Sequence, residues 1–321
     1  MKPLVTIIIP TYNRANLLAE TLDSIRVQDY ENWECIVVDD GSEDSTKELV
    51  EKYCQGDGRF RYYDRPINKP KGANACRNYG FELSKGKYIN WFDSDDLMYP
   101  EKLKIQVINL ENSEYPFCVC QAEWFDAISN ISKGDRAPLI SNSENILDDY
   151  ITKKIFWTTG ATLWRSEFLR KNKMTFDESL HQSQEFGFNI KALAISPVFI
   201  AVTEPLFQLI MHDNNVSNNI FSNYEKITSH VRVRSMIIKN FHGQISSSTV
   251  ESLYRHIFNC YSVCLKSRKI KSSSYVFFHL VKSVNKIKRN NTERIKFLLR
   301  MLIVLITVPL FYRGQKLIKF L

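Results

Sequence analysis

Four short strand-like runs, separated by amphipathic stretches, fill residues 4–96, and three of them end in polar clusters. Few folds accommodate that order. Leu4-Val5-Thr6-Ile7-Ile8-Ile9 is a β-branched run between Pro3 and Pro10, which predicts a central strand. Residues 33–38, 60–63 and 87–92 predict three more strands, and 15–27, 45–53 and 74–85 predict helices, the last closed by Gly86. The resulting β-α-β-α-β-α-β alternation implies a mostly parallel, Rossmann-like α/β sheet with helices on both faces. Ligands of such sheets bind at the carboxyl ends of the strands. The clusters Thr11–Arg14, Asp39–Ser42 and Asp93–Asp96 fall at those ends and converge on one edge.

Each cluster has a chemical use and a plain structural one. Asp93-Ser94-Asp95 places two carboxylates at i and i+2 beyond a strand, where they can meet one Mg²⁺ or Mn²⁺ bridging a diphosphate. An Asp-rich turn capping the next helix would leave the same triplet. Asp39 can accept hydrogen bonds from a nucleobase or a ribose, or it can simply turn the chain. Tyr12 can stack on a base and Arg14 can meet phosphate. Arg77, on a helix facing the sheet edge, can pair with phosphate as well.

Taken in order, these stretches resemble the family 2 glycosyltransferases, which have the GT-A fold. The matching residues are Val5–Arg14, Gln28-Asp29-Tyr30, Ile36–Ser42, Ala75–Gly80 and Gly86–Asp96. The resemblance is dense over 4–104 and thinner to about 220. It implies an inverting transfer of a hexose or N-acetylhexosamine from a nucleotide sugar to a hydroxyl acceptor. UDP is the expected nucleotide, with GDP and dTDP left open. It implies that Pro10, Thr11, Tyr12 and Asp39 line the nucleoside pocket. Arg77 would face the diphosphate or the donor sugar, Asp93 would lie near ribose and metal, and Asp95 would ligate Mn²⁺ or Mg²⁺. His212 resembles a histidine near the end of the family's catalytic region that approaches the metal or the diphosphate. The family's catalytic base is usually the Asp of an acidic pair after a Phe-Asp-Glu stretch. Here Phe176-Asp177-Glu178 is followed by Gln184-Glu185, a departure that makes Glu185 the expected base, with Asp177 and Glu178 behind it. The same departure keeps open a catalytically silent nucleotide-sugar-binding module.

Beyond residue 111 the pattern loosens. Residues 117–122, 155–164 and 197–202 read as strands, 129–143 as a loop, and 184–195 as a helix. Residues 1–110 are expected to form a nucleotide-sugar half, 111–220 an acceptor half, and 221–321 a helical extension with helices at 224–239, 248–267 and 274–288. Residues 221–321 hold 19 of the 43 Lys and Arg but only 3 of the 35 Asp and Glu. Basic residues flank the uncharged stretch Met301–Tyr312, which is short of the roughly 20 residues a membrane span needs. That tail is expected to lie on an anionic membrane surface or to pack as a helix on the body or on a second copy. A lipid-linked glycan acceptor in bacterial surface polysaccharide assembly follows as an expectation, at the inner face of the plasma membrane.

The seven cysteines match no zinc spacing, and with no signal-like segment at residues 1–10 they predict a reducing cytoplasm without disulfides. A nucleotidyltransferase or a nicotinamide dehydrogenase would want a glycine-rich loop after the first strand, and Pro10–Arg14 has no glycine. A processive synthase would want several membrane spans. Nucleic-acid binding by the tail is not expected, because its charges flank a greasy stretch.

Overall fold

The computed structural model describes residues 2–211, 221, 223–287 and 290–311. The first part of the chain runs β1 (Val5–Thr11), α1 (Ala15–Arg26), β2 (Trp33–Asp39), α2 (Thr46–Gly56), β3 (Phe60–Asp64), α3 (Ala73–Leu83), β4 (Tyr88–Trp91), β5 (Leu97–Met98) and α4 (Lys102–Glu111). It continues with β6 (Phe117–Asp126), β7 (Ile131–Asp135), α5 (Ile146–Thr152), β8 (Thr162–Arg165), α6 (Ser166–Lys171), α7 (Gln184–Ile195) and β9 (Ile200–Met211). Four helices follow: α8 (Tyr224–Phe241), α9 (Ser247–Lys266), α10 (Ile270–Ser283) and α11 (Asn291–Phe311). Two compact units result. One comprises Met1–Ser143, Lys153–Ser179 and Ile195–Asn215; the other comprises Glu144–Thr152, Leu180–Ala194 and Val216–Leu321.

The first unit is built on one sheet with the order β3-β2-β1-β4-β8-β6-β9-β5, and β7 pairs with β6. The β3-β2-β1-β4 part is parallel, as the alternation predicts, and β8 joins it antiparallel through β4. Every residue of β1 and β2 is buried, the state of strands covered on both faces. Gln28 has a structural role. Its amide donates to the Tyr99 carbonyl at 2.7 Å and accepts from the Leu103 N–H at 3.1 Å, tying the end of α1 to the start of α4.

The structure revises several sequence expectations. The helix before β4 ends at Leu83, and Gly86 is not its closing residue. A Cβ at Gly86 would lie 2.6 Å from the Thr6 backbone nitrogen, so close approach of chains is what requires glycine there. The segment expected to be a loop at 129–143 contains β7, whose five residues are all exposed and therefore carry no apolar alternation. The strand expected over 155–164 is confined to Thr162–Arg165. Residues 155–157 are buried outside regular structure, with Trp157 packed at 4.8 Å from the Phe199 ring, and a 3₁₀ turn covers Thr159–Ala161.

The second unit is helical. Asn223 caps α8 by accepting from the Lys226 N–H at 2.8 Å, and Ser246 caps α9 by accepting from the Thr249 N–H at 3.2 Å. Within it Asn189 of α7 donates to the Tyr150 hydroxyl of α5 at 2.8 Å. All seven cysteines are free thiols.

Candidate active site

Three loops leave the carboxyl ends of β1, β2 and β4, and local chemistry shapes each of them. Thr11 is the register partner of Asp39, and Asp39 of Asp64, so the three form one row at the sheet edge. Asp39 is 1% exposed. Its Oδ1 accepts from the backbone N–H groups of Gly41 at 2.9 Å and Ser42 at 2.7 Å. Gly41 allows that turn with a φ of +88°. Asp39 Oδ2 accepts from the Tyr62 hydroxyl at 3.1 Å, which also lies 2.9 Å from Asp64 Oδ1. Burial, followed by the carboxylates of Asp64 and Asp39, raises the Tyr62 phenol well above its ordinary value, so it stays protonated as a donor. A carboxylate offers about four acceptor sites. The chain's own donors fill three on Asp39.

The loop after β1 is stapled to the one after β2. Asn13, at φ 50°, takes the left-handed conformation that asparagine tolerates. Its N–H donates to Ser42 Oγ and its Oδ1 accepts from the Glu43 N–H, both at 2.8 Å. Asp44 serves the starts of two helices, accepting from the Ala15 N–H at 3.2 Å and the Thr46 N–H at 3.0 Å. This stapling leaves Tyr12 41% exposed, with the Lys71 ammonium 4.3 Å from its ring centre.

The loop after β4 carries the acidic cluster. Asp93 Oδ1 accepts from Arg77 Nη2 of α3 at 2.8 Å, while Arg77 Nη1 donates to Asn74 Oδ1 at 3.2 Å. Asp95 Oδ2 lies 3.7 Å from Arg14 Nη2. Asp96 faces elsewhere and accepts from the Ile210 N–H of β9 at 3.3 Å. Strand order reverses at β1, which has β2 on one side and β4 on the other. That reversal is where doubly wound sheets open a ligand crevice. The Arg14–Asp95 pair spans it.

Arg77 is held from behind. Its guanidinium lies 5.4 Å from the Phe176 ring. Asn78 donates to the Phe176 carbonyl and accepts from the Phe176 N–H, both at 2.9 Å, and also donates to Glu178 Oε1 at 2.9 Å. Asn74 donates to the Asp177 carbonyl at 2.8 Å. Arg77 Nε and Thr11 Oγ1 are buried without a partner among the described residues. A buried polar group left so calls for a partner, and a bound ligand or water would supply one.

Comparison with known proteins gives the family of the chain. The chain matches the profile described as Glycosyl transferase family 2 over residues 6–170. It belongs to that family. An uncharacterized glycosyltransferase of Rickettsia typhi is 32% identical over 229 residues, which are 70% of this chain and 69% of that protein. Several other glycosyltransferase relatives match over 113 residues, 16–18% of their own length. Among solved structures, S. aureus TarS 1-349 in complex with UDP-GlcNAc superimposes with a TM-score of 0.71 at 17% identity, covering 95% of this chain and 89% of that one. The mannosyltransferase PcManGT of Pyrobaculum calidifontis, in complex with GDP-Man and Mn²⁺, gives 0.55 at 15% identity, covering 98% and 88%. At these identities the likeness is one of fold, and the fold is GT-A with added C-terminal helices.

In this glycosyltransferase the first unit brings together Thr11 with Asp39, Arg77 with Asp93 and Arg14 with Asp95. Pro10 is buried within β1. Glu185 lies in the second unit, half-buried in the first turn of α7, and the preceding Gln184 spends its amide on the Leu180 carbonyl at 3.2 Å. His212 lies outside the described residues. Glu178 is committed to Asn78, and Asp177 Oδ1 accepts from the Ser179 N–H at 3.0 Å.

Among the described residues no group of three or more His, Cys, Asp or Glu could hold a metal ion. Two carboxylates are nevertheless the donor set that suits Mg²⁺ or Mn²⁺ when substrate phosphates complete the shell. The side chains of Asp93 and Asp95 keep 34% and 20% of their surface open. Tyr62, Asp64 and Lys71 are the site-edge residues that sequence reasoning missed. The period-2 spacing of Tyr62 and Asp64 on one strand, beside Asp39, is the signal by which the first two could have been found.

Proposed function

We propose that this glycosyltransferase transfers a hexose or N-acetylhexosamine from a nucleoside-diphosphate donor, with UDP as the first candidate, to a hydroxyl group with inversion. The acceptor we propose is a lipid-linked glycan of a bacterial surface polysaccharide, met at the anionic inner face of the plasma membrane. The observation that carries the donor half is the pair of arginine–aspartate contacts at the sheet's reversal point, Arg14–Asp95 and Arg77–Asp93. A diphosphate needs cations, and a divalent ion needs carboxylates; both sets stand side by side here. Support for a nucleotide-sugar donor comes from the fold neighbours, one solved with UDP-GlcNAc and one with GDP-Man and Mn²⁺.

In this reading Thr11, Asp39 and Tyr12 take the nucleoside, with the remaining acceptor site of Asp39 offered to a base N–H. Arg77 and Arg14 offset charge on the diphosphate. Asp95 and Asp93, with His212 as a further candidate, would hold Mn²⁺ or Mg²⁺, which supplies positive charge where the leaving phosphate gains its electron pair. Glu185 accepts the proton of the acceptor hydroxyl as the new carbon–oxygen bond forms. Its assignment rests on the sequence pattern, and the longer side chain of Glu still presents a carboxylate to the task.

The decisive experiment is a donor screen for nucleoside diphosphate release with and without Mn²⁺, using wild type, Asp95→Ala and Glu185→Gln. Metal-dependent release should vanish in Asp95→Ala. In Glu185→Gln turnover should fall by roughly a hundredfold or more while donor binding by calorimetry persists. Full turnover in Glu185→Gln would place the base elsewhere. Donor binding without any release by wild type would favour a silent binding module, a reading that Gln184 at the acidic pair keeps in play.

A further inference from the structure

Helix α11 has two apolar faces, and its packing uses one. Phe297, Met301 and Val304 are buried within the helical unit. Phe297 packs 5.7 Å from the Phe258 ring of α9, and the Tyr261 hydroxyl of α9 donates to the Met301 carbonyl at 2.5 Å. The other face carries Ile295 (57% exposed), Leu299 (55%), Leu302 (41%), Ile303 (50%) and Ile306 (52%). At about 100° per residue these five fall within an arc of roughly 100°, a continuous stripe along three turns. Arg294 borders the stripe on one side, and Lys296 and Arg300 on the other. Among the described residues no helix is long and apolar enough to cross a membrane.

A stripe of exposed isoleucine and leucine with Lys296 and Arg300 along one border fits an anionic lipid surface. A helix in that plane buries its apolar face among the acyl chains while its basic residues reach the headgroups. Charge selects among occupants. Residues 221–321 hold 19 basic residues against 3 acidic ones, so a second copy presenting this region would meet like charge.

We infer that α11 lies flat on an anionic bilayer, inserting Ile295, Leu299, Leu302, Ile303 and Ile306. This deepens the membrane-surface reading above and rests on it. It also separates two jobs on one helix: the Phe297–Met301–Val304 face holds α11 to the protein, and the opposite face meets lipid. The stripe is therefore removable without unfolding the bundle.

The test is co-sedimentation of the full chain with vesicles of phosphatidylcholine alone and of phosphatidylcholine with phosphatidylglycerol in equal parts. Wild type should pellet with the anionic vesicles and remain in solution with the neutral ones, and high salt should weaken binding. The triple variant Leu299→Ser, Leu302→Ser, Ile303→Ser should lose affinity roughly tenfold or more. Its melting temperature and helical circular dichroism should match wild type. The charge variant Lys296→Glu, Arg300→Glu should lose binding as well, which guards against misfolding of the first variant. Wild type failing to bind anionic vesicles overturns both the inference and the membrane-surface reading. Undiminished binding by the triple variant overturns the inference alone. A wild-type dimer that the triple variant converts to monomer, with vesicle binding untouched, assigns the stripe to a second copy.

Discussion

Asn78→Ala offers a sharp test of how the arginine side of the site is built. Asn78 is 7% exposed and Phe176 is 4% exposed, so their contact is removed from water. The amide pairs reciprocally with the backbone of Phe176, donating to its carbonyl and accepting from its N–H, each at 2.9 Å. Alanine leaves a buried N–H and a buried carbonyl without partners, each costing about 1–3 kcal/mol. Allowing for relaxation, the loss should come to about 2–4 kcal/mol. For a body of this size each kcal/mol lowers the melting midpoint by roughly 2–4 °C, so the variant should melt roughly 4–16 °C below wild type. Asn78→Asp should do no better, because it keeps the acceptor, loses both donations and sets a second carboxylate beside Glu178. Asn109→Ala is the control: its amide donates only within its own helix, to the Ile105 carbonyl at 2.9 Å, and its loss should cost about 0.5 kcal/mol or less. Scanning calorimetry of the three variants decides the matter. An Asn78→Ala midpoint within about 1 °C of wild type would show that the 176–178 segment does not depend on α3, and the account of Arg77's support would go with it.

Gly80→Ala places a Cβ 2.3 Å from Ile8 Cγ2, so α3 must move off β1; overpacking of about 1–3 kcal/mol should lower the melting midpoint by roughly 2–12 °C. Lys102 is fully buried, with its ammonium 2.8 Å from Gln106 Oε1, and burial lowers its pKa below 10.5. Between the native value and 10.5 the unfolded chain binds a proton that the native chain does not. Wild-type stability should therefore rise with pH through that window, and Lys102→Met should flatten the rise in melts taken from neutral to alkaline pH. If Tyr12 stacks on a base, the base must displace Lys71, whose ammonium lies over the ring. Lys71→Met should then tighten uridine binding about two- to fivefold, the equivalent of an exposed cation–π contact of ~0.5–1 kcal/mol, in a calorimetric titration; unchanged affinity would clear Lys71 of that role.

What could be read from the sequence divides along a physical line. Strands β1, β2 and β4 were legible because burial on both faces forces near-continuous apolar runs, and parallel pairing forces a helix between neighbours, which brackets the less buried β3. Their carboxyl-end clusters were legible for the same reason, since chain direction alone places Thr11, Asp39 and Asp93 at one edge. The exposed hairpin strand β7 was not, because Ile131–Asp135 buries nothing and so leaves no period in the sequence. Gly86 was misread because a helix stop and a close chain approach demand the same residue, and only the 2.6 Å approach to Thr6 separates them. The pairing within the site lies deeper still. Arg14 and Asp95 meet across 81 positions, and Asn78 and Phe176 across 98. No periodicity encodes such contacts. They follow from the packing of α3 and from the sheet reversing at β1, which is why sequence could name the charged residues of this edge but could not say which arginine would face which aspartate.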